Sequence, residues 1–289
     1  MIPIYESILP NPELKPYIRR FLITDNQTSF DLTVNPTPTG YNYLGWVFRG
    51  DVIAHIDGEE IRTVKSMHLA GQITDKPFSI NYRGKLGHVL AEFTAAGFYR
   101  LMHVPGDFVN ARKRRFCVFT DQLAQTIPDQ LSKYLSSGFD HVESLQQCLL
   151  GRIVYQKPAP HYIDKIAETL EVSRGLTRLS EIYENLGISE RQATRNFNKI
   201  VGISPKGFAG FMRLNHALEL LFLNKDDKLA VIAHKAGFYD QSHLIHVIQQ
   251  FFGENPQQFL KNDRRLQRAF HTSTDQLHFD QQVEKEVVA

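Results

Sequence analysis

The chain has 289 residues, with 33 Lys and Arg against 31 Asp and Glu, 42% apolar residues and 22% charged ones. That length favours two domains over a single core, and a net charge of +2 with so much apolar content excludes a disordered chain. No stretch reaches the roughly 18 consecutive apolar residues that a membrane span needs, so no membrane partner is expected.

The N-terminal segment MIPIYESILPNPELKPYIRR carries Glu6 and several prolines and has no apolar h-region, which predicts no secretion signal and a cytoplasmic location. From Asn42 to about Glu92, short runs rich in Val, Ile, Phe and Tyr (YNYLGWVF, DVIAHID) are separated by Gly40, Gly50, Gly58, Gly71, Gly84 and Gly87. Such glycine-bounded runs read as strands and turns. Further on, DQLAQTIPDQLSKYL and HVESLQQCLLGRIVY have helical periodicity, with an interruption expected at Pro128. Pro158 and Pro160 then stiffen a connector. The division expected is 1–120 for a β-rich regulatory domain, 121–157 for a helical dimerisation or linker segment, 158–262 for a second domain, and 263–289 for a polar tail. Cys117 and Cys148 stand alone, which argues against disulfides and cysteine zinc sites.

Beyond the connector the chain is almost wholly helical and contains an internal repeat. Gly187–Phe208 aligns without a gap on Phe238–Phe259, so that Asp240 falls on Ser189, Leu244 on Ala193, Ile248 on Phe197, Gly253 on Gly202 and Pro256 on Pro205. Ser189 with Gln192 three residues on predicts a capped helix start, as does Asp240 in the second copy. Each of these helices ends at a glycine. Each is preceded by a short apolar helix (Leu179–Leu186, Leu229–Ala236) across a turn containing Gly187 or Gly237, which makes a helix-turn-helix. A helix from Pro205 to Asn224, roughly 30 Å long, joins the copies. That length is close to the roughly 34 Å between successive major-groove faces of B-DNA, so one rod could present both reading helices to one duplex.

These residues carry a resemblance. Residues 160–262 resemble the DNA-binding domain of AraC/XylS-type bacterial transcription regulators through Gly237-Phe238-x-x-Gln241-Ser242-His243 and Phe252-Gly253-x-x-Pro256-x-x-Phe259. Ser189-x-x-x-Ala193-x-Arg195-x-Phe197, Gly202-Ile203-Ser204-Pro205 and Arg213-Leu214-x-x-Ala217 extend it. The resemblance implies an α+β chain: an N-terminal β-rich, cupin-like barrel domain with a helical extension, then an all-α domain of two helix-turn-helix units on a long helix. It also implies a sequence-specific regulator whose partners are double-stranded DNA, a small-molecule effector and a second copy, with RNA polymerase as a further candidate. The chain departs from the family on its second reading helix, which carries Leu244, His246, Ile248, Gln249 and Gln250 where basic and aromatic residues are usual.

With Ala193 and Phe197 turned inward, the positions expected to read bases are Arg191, Gln192, Thr194, Arg195 and Asn198, and in the second unit Gln241, Ser242, Ile245 and His246. Lys199, Lys206 and Gln249 suit phosphates. Arg213 is expected to have an internal partner. Residues 240–252 contain no Lys or Arg, so the first unit should dominate non-specific affinity. His243 and His246 would strengthen the second unit at lower pH, an idea contradicted by equal DNA affinity at about pH 6 and about pH 8. In the N-terminal half, Trp46, Phe48, Phe78, Tyr82 and Phe93 are candidate walls of an effector cavity, with packed core as the plainer alternative. Arg114 and Arg115, in the run Arg112–Arg115, are candidates for an anionic effector. His55, His68, His88 and His103 lack metal-ligand spacing, and no nucleophile elbow, P-loop or dinucleotide motif occurs. No catalytic residue, metal or cofactor is therefore expected. The competing reading is an interaction protein whose N-terminal domain brings a protein partner to DNA without a small ligand.

Overall fold

The computed structural model describes residues 5–56, 58–72, 79–110, 116–118, 122–223 and 228–261. The strands are β1 (Glu6–Ile8), β2 (Ile18–Asp25), β3 (Phe30–Val34), β4 (Tyr43–Ile56), β5 (Glu59–Val64), β6 (Met67–Ala70), β7 (Ser79–Phe93) and β8 (Phe116–Val118). They form one sheet in the order β1-β2-β7-β4-β6-β8, with β3 on β7 and β5 on β4. Every pairing is antiparallel. β1 to β3 lie before the stretch that composition marked as β, because polar, proline-containing connectors hide their short alternations.

The long pair β4 and β7 is the spine of the sheet. Its register runs from Tyr43↔Glu92 to His55↔Ser79 and slips on both sides of Arg49. Gly50 at that slip has φ +74, and a Cβ there would stand 2.9 Å from the carbonyl oxygens of Arg83 and Lys85, so only glycine closes the bulge without strain. Side-chain alternation sorts the two faces. Tyr43, Val47, Tyr82 and Leu90 belong to one core, while Leu44, Trp46, Val89 and Phe93 belong to the other.

Helices follow the sheet: α1 (Gly97–Met102), α2 (Gly106–Asn110), α3 (Gln122–Ser136), α4 (His141–Ile153), α5 (His161–Val172), α6 (Leu179–Asn185), α7 (Glu190–Val201), α8 (Pro205–Leu223), α9 (Leu229–Lys235), α10 (Gln241–Phe252) and α11 (Pro256–Lys261). Pro128 does not interrupt its helix, contrary to the sequence-based expectation: α3 passes through it, anchored by the buried Ile127 and Leu131. Tertiary packing thus outweighs the roughly 3 kcal/mol that an interior proline costs. Asp140 starts α4 with a complete capping box to Glu143. α1, α3 and α4 cover the Trp46 face of the sheet. The core on the opposite face runs without a break from Tyr82 and Leu90 into α5–α11 through Phe197, Phe208 and Phe252. The tail from 262 and the Arg112–Arg115 run lie outside the described residues.

Candidate nucleic-acid interface and ligand cavity

Both copies of the repeat fold as read from the sequence. The Ser189 side chain accepts from the Gln192 N–H at 3.2 Å and that of Asp240 from the His243 N–H at 2.8 Å, so each second helix starts on a side-chain cap. α7 and α10 each have 12 residues and end at Gly202 (φ 100) and Gly253 (φ 69), whose left-handed backbone suits glycine. Ala193, Phe197, Ile200 and Val201 are buried in the first copy, and Leu244, Ile248, Phe251 and Phe252 at the matching positions of the second. α8, with 19 residues from Pro205, spans about 28 Å.

On the opposite face of α7, Arg191, Gln192, Arg195 and Lys199 are exposed. Thr194 is half-buried beside Tyr183 of α6, so it is less open to solvent than its arginine neighbours. Asn198, also half-buried, lines a cleft of about 480 Å³ with Phe211 of α8 and His243 and Val247 of α10. On α10, Gln241, Ser242, His243, His246 and Gln249 are exposed and Ile245 is half-buried. Lys206 is exposed at the start of α8. Tyr239, which the sequence reading passed over, is 92% exposed in the turn just before α10. An aromatic left in solvent beside a reading helix is a candidate DNA contact. The Arg213 guanidinium donates to the Gly175 carbonyl at 2.9 Å, an internal partner as expected.

The C-terminal ends of both reading helices are held by the sheet-bearing half. The last carbonyls of a helix have no partner within it. Here Asn42 Nδ2 donates to the Val201 carbonyl at 3.2 Å, Asn110 Nδ2 to the Gly202 carbonyl at 2.7 Å, and Asn35 Nδ2 to the Phe252 carbonyl at 3.2 Å. Asn215 of α8 donates back to the Thr39 carbonyl at 3.2 Å. α2 crosses the end of α7 at Gly106, where a Cβ would lie 2.4 Å from the Val201 carbonyl carbon; a Cβ on Gly202 would lie 2.1 Å from Asn110 Nδ2. Two glycines therefore permit the closest approach between the halves. Arg19 extends the contact, pairing with Glu92 of β7 at 2.9 Å and Glu171 of α5 at 2.7 Å. Arg100 of α1 bridges to Asp164 of α5 through two hydrogen bonds. Burial opposes ionisation of Glu92, yet Arg20 and Arg19, with the Tyr43 hydroxyl, hold its carboxyl below the usual range.

Segment 35–43 has a second side. Pro36, Thr37, Thr39, Tyr41 and Tyr43 line a cavity of about 70 Å³ in the sheet-bearing half. Val52, Ile80, Tyr82 and Leu90 supply its apolar wall, and His68, Gln72 and His88 polar parts of it. His68 lies over Gly45, directly across the strand pair, where a Cβ would meet the ring at 2.1 Å. Burial lowers His68 to about 3, and burial with the neighbouring His68 lowers His88, so both rings are neutral near pH 7. Tyr5 Oη lies 2.6 Å from His88 Nδ1. Thr37 Oγ1, both amide atoms of Gln72 and His88 Nε2 are buried and have no partner among the described residues. Gln72 also connects outward: its backbone N–H donates to Asn110 Oδ1 at 2.6 Å, the same amide that grips Gly202.

Of the aromatics proposed for such a cavity, Tyr82 alone among the described ones lines it. Trp46, Phe48 and Phe93 are corrected to the opposite face, where they pack with α1, α3 and α4; Phe48 stacks on His141 with ring centroids 3.7 Å apart. The reason is strand alternation, since Tyr82 and Phe93 are an odd number of residues apart on β7. Phe78, Arg114 and Arg115 lie outside the described residues. Sequence reasoning missed Thr37, Gln72, His88 and the four asparagines; the polar stretch Asn35-Pro-Thr-Pro-Thr-Gly-Tyr-Asn42 was the available signal. Among the described residues, no group of three or more His, Cys, Asp or Glu could hold a metal, and no helix is long and apolar enough to cross a membrane. Cys148 is a buried free thiol, which burial pushes up to about 12.

Residues 182–262 match the family model described as a helix-turn-helix domain. No curated protein gave a significant match. Among solved structures, the chain is similar to apo ToxT from Vibrio cholerae strain SCE256 (13% identity, 83% of this chain and 97% of that one, TM-score 0.47). It is similar also to unsaturated fatty acid-bound ToxT of the same strain (15% identity, 83% and 94%, TM-score 0.46). A probable AraC family transcriptional regulator from Rhodopseudomonas palustris CGA009 aligns at 26% identity over 35% of this chain and 96% of its own, with TM-score 0.33.

Proposed function

We propose that the protein, with its C-terminal helix-turn-helix domain, is a DNA-binding transcription regulator of the AraC/XylS type, and that its sheet-bearing half holds a small molecule that sets how the two reading helices meet DNA. The observation that carries this is the shared segment 35–43, which lines the cavity with one set of residues and ties down α7, α8 and α10 with another. A ligand displacing Thr37 or Gln72 acts on the same backbone that caps the reading helices, directly or through Asn110. Capping bonds of this kind contribute about 1 kcal/mol each, so a few of them suffice to bias two arrangements.

In this reading Arg191, Gln192, Arg195, Gln241, Ser242 and His246 read base edges, Thr194, Asn198 and Ile245 flank them, and Lys199, Lys206 and Gln249 contact phosphates. A cavity with unpartnered polar atoms favours a small ligand over the alternative in which the N-terminal half only recruits a protein. A second copy is expected to pack on α3 and α4, which sedimentation at two concentrations tests. The functional test is selection of bound duplexes from a random pool with and without cell extract. An enriched motif whose recovery changes with low-molecular-weight extract is expected; no enrichment in either case would overturn the reading.

A further inference from the structure

We infer that the cavity under segment 35–43 takes a small uncharged molecule whose polar end both donates and accepts hydrogen bonds, as a primary amide does, and excludes carboxylates. This rests on the proposed regulatory role of the cavity and adds the chemistry of its occupant.

Four atoms define the polar end. Thr37, Gln72 and His88 are 6%, 2% and 1% exposed, and Thr37 Oγ1, Gln72 Oε1, Gln72 Nε2 and His88 Nε2 have no partner among the described residues. Buried polar groups left without a partner destabilise the fold. A ligand that pairs them recovers that cost, which gives the site a reason to bind. Gln72 offers one acceptor and one donor side by side, and a primary amide meets both in a reciprocal pair. His88 Nε2 adds one further buried polar atom, a donor or an acceptor according to the tautomer of the ring.

Charge is excluded by what the walls lack. Among the described residues, no Lys, Arg, Asp or Glu lines the cavity. The two histidines are neutral because burial disfavours their charged forms. Glu92, close by through Tyr43, is already committed to Arg19 and Arg20. An ionised carboxylate would enter without a counter-charge and lose its hydration for nothing equivalent. Size follows from the volume. About 70 Å³ corresponds to roughly five water-sized probes, or a molecule of about six non-hydrogen atoms, with its apolar end against Val52, Ile80 and Leu90.

The test compares butyramide with butyrate, matched in skeleton and different in charge, by calorimetry on the full chain at pH 7.5. Saturable butyramide binding at least tenfold tighter than that of butyrate is expected. Gln72→Met should weaken butyramide at least tenfold, and Thr37→Val, which keeps the shape of threonine, is the second variant should Gln72→Met not fold. Butyrate binding as tightly as butyramide, no saturable butyramide binding, or undiminished affinity in a folded variant would each overturn the inference. DNA affinity is measured in parallel on a selected duplex. Unchanged affinity at saturating butyramide would contradict the regulatory reading while leaving the ligand class intact.

Discussion

Arg195 projects from α7 into solvent, three positions after Gln192 and one turn from Arg191, with no ion pair to another described residue and its backbone held by a helix whose other face is buried. A guanidinium so placed can bond two guanine acceptors at once. Arg195→Ala should therefore remove about 1–3 kcal/mol of discrimination at one base pair, measured by competition among single-base variants of the selected duplex. Uniform weakening across all variants would make it a phosphate contact instead. Lys199→Ala should weaken all sequences alike and lower the salt slope of log affinity by about one. At this scale the sequence was most informative where a residue acts on its own helix: Ser189, Asp240 and the paired glycines are local signals with local effects. Asn35, Asn42, Asn110 and Gln72 were not legible, because their partners lie up to 217 positions away and nothing in an isolated asparagine says which distant carbonyl it will cap.

The crossing of α2 and the end of α7 is a close backbone contact between the halves. Gly106 faces the Val201 carbonyl carbon so closely that a methyl group cannot be placed without moving one of the two helices. Gly106→Ala should loosen this crossing and expose the connector to protease while leaving the sheet and the helix-turn-helix units folded. Limited proteolysis and circular dichroism read both outcomes, and an unchanged digestion pattern would show that the crossing does not hold the halves. Asn110→Ala should act in the same direction, since it leaves the Gly202 carbonyl without its partner, and cost about 1–3 kcal/mol in urea unfolding. The helices of the repeat were readable because 3.6-residue periodicity, caps and terminal glycines all agree there. Strand faces were less so. Parity along β7 separates Tyr82 from Phe93, but along β4 the bulge around Arg49 shifts the inward set from Tyr43 and Val47 to Val52 and Ala54. A slip of one residue exchanges the faces, and no composition rule locates it.

For the whole molecule, the buried histidines and the Glu92 cluster predict how stability depends on pH. His68 and His88 have folded pKa values below the ordinary value near 6.5, so on acidification the unfolded chain takes up protons first. Their contribution is complete above about pH 6.5 and is lost as pH falls below it, at about 1.4 kcal/mol per unit for each ring. Unfolding free energies from urea titrations at pH 7.5 and 5.5 should thus differ by about 2–3 kcal/mol, and His88→Gln should roughly halve the difference. A pH-independent midpoint would mean that these rings are not buried neutral. Glu92, held below the usual carboxylate range, loses its contribution in a separate window, as pH falls from about 4.3 through its folded pKa. The continuous core from β7 to α11 makes the two halves one mechanical unit in this arrangement, which the connector prolines alone did not foretell.

The central claim is that α7 and α10, carried by α8, read one duplex together. Guanine-methylation interference on the duplex recovered by selection tests it most directly. Two clusters of interfering guanines on the same side of the helix, centred roughly 10 base pairs apart, are predicted, with the stronger cluster under the arginine-bearing α7. A single cluster, or two clusters on opposite sides of the duplex, would contradict it.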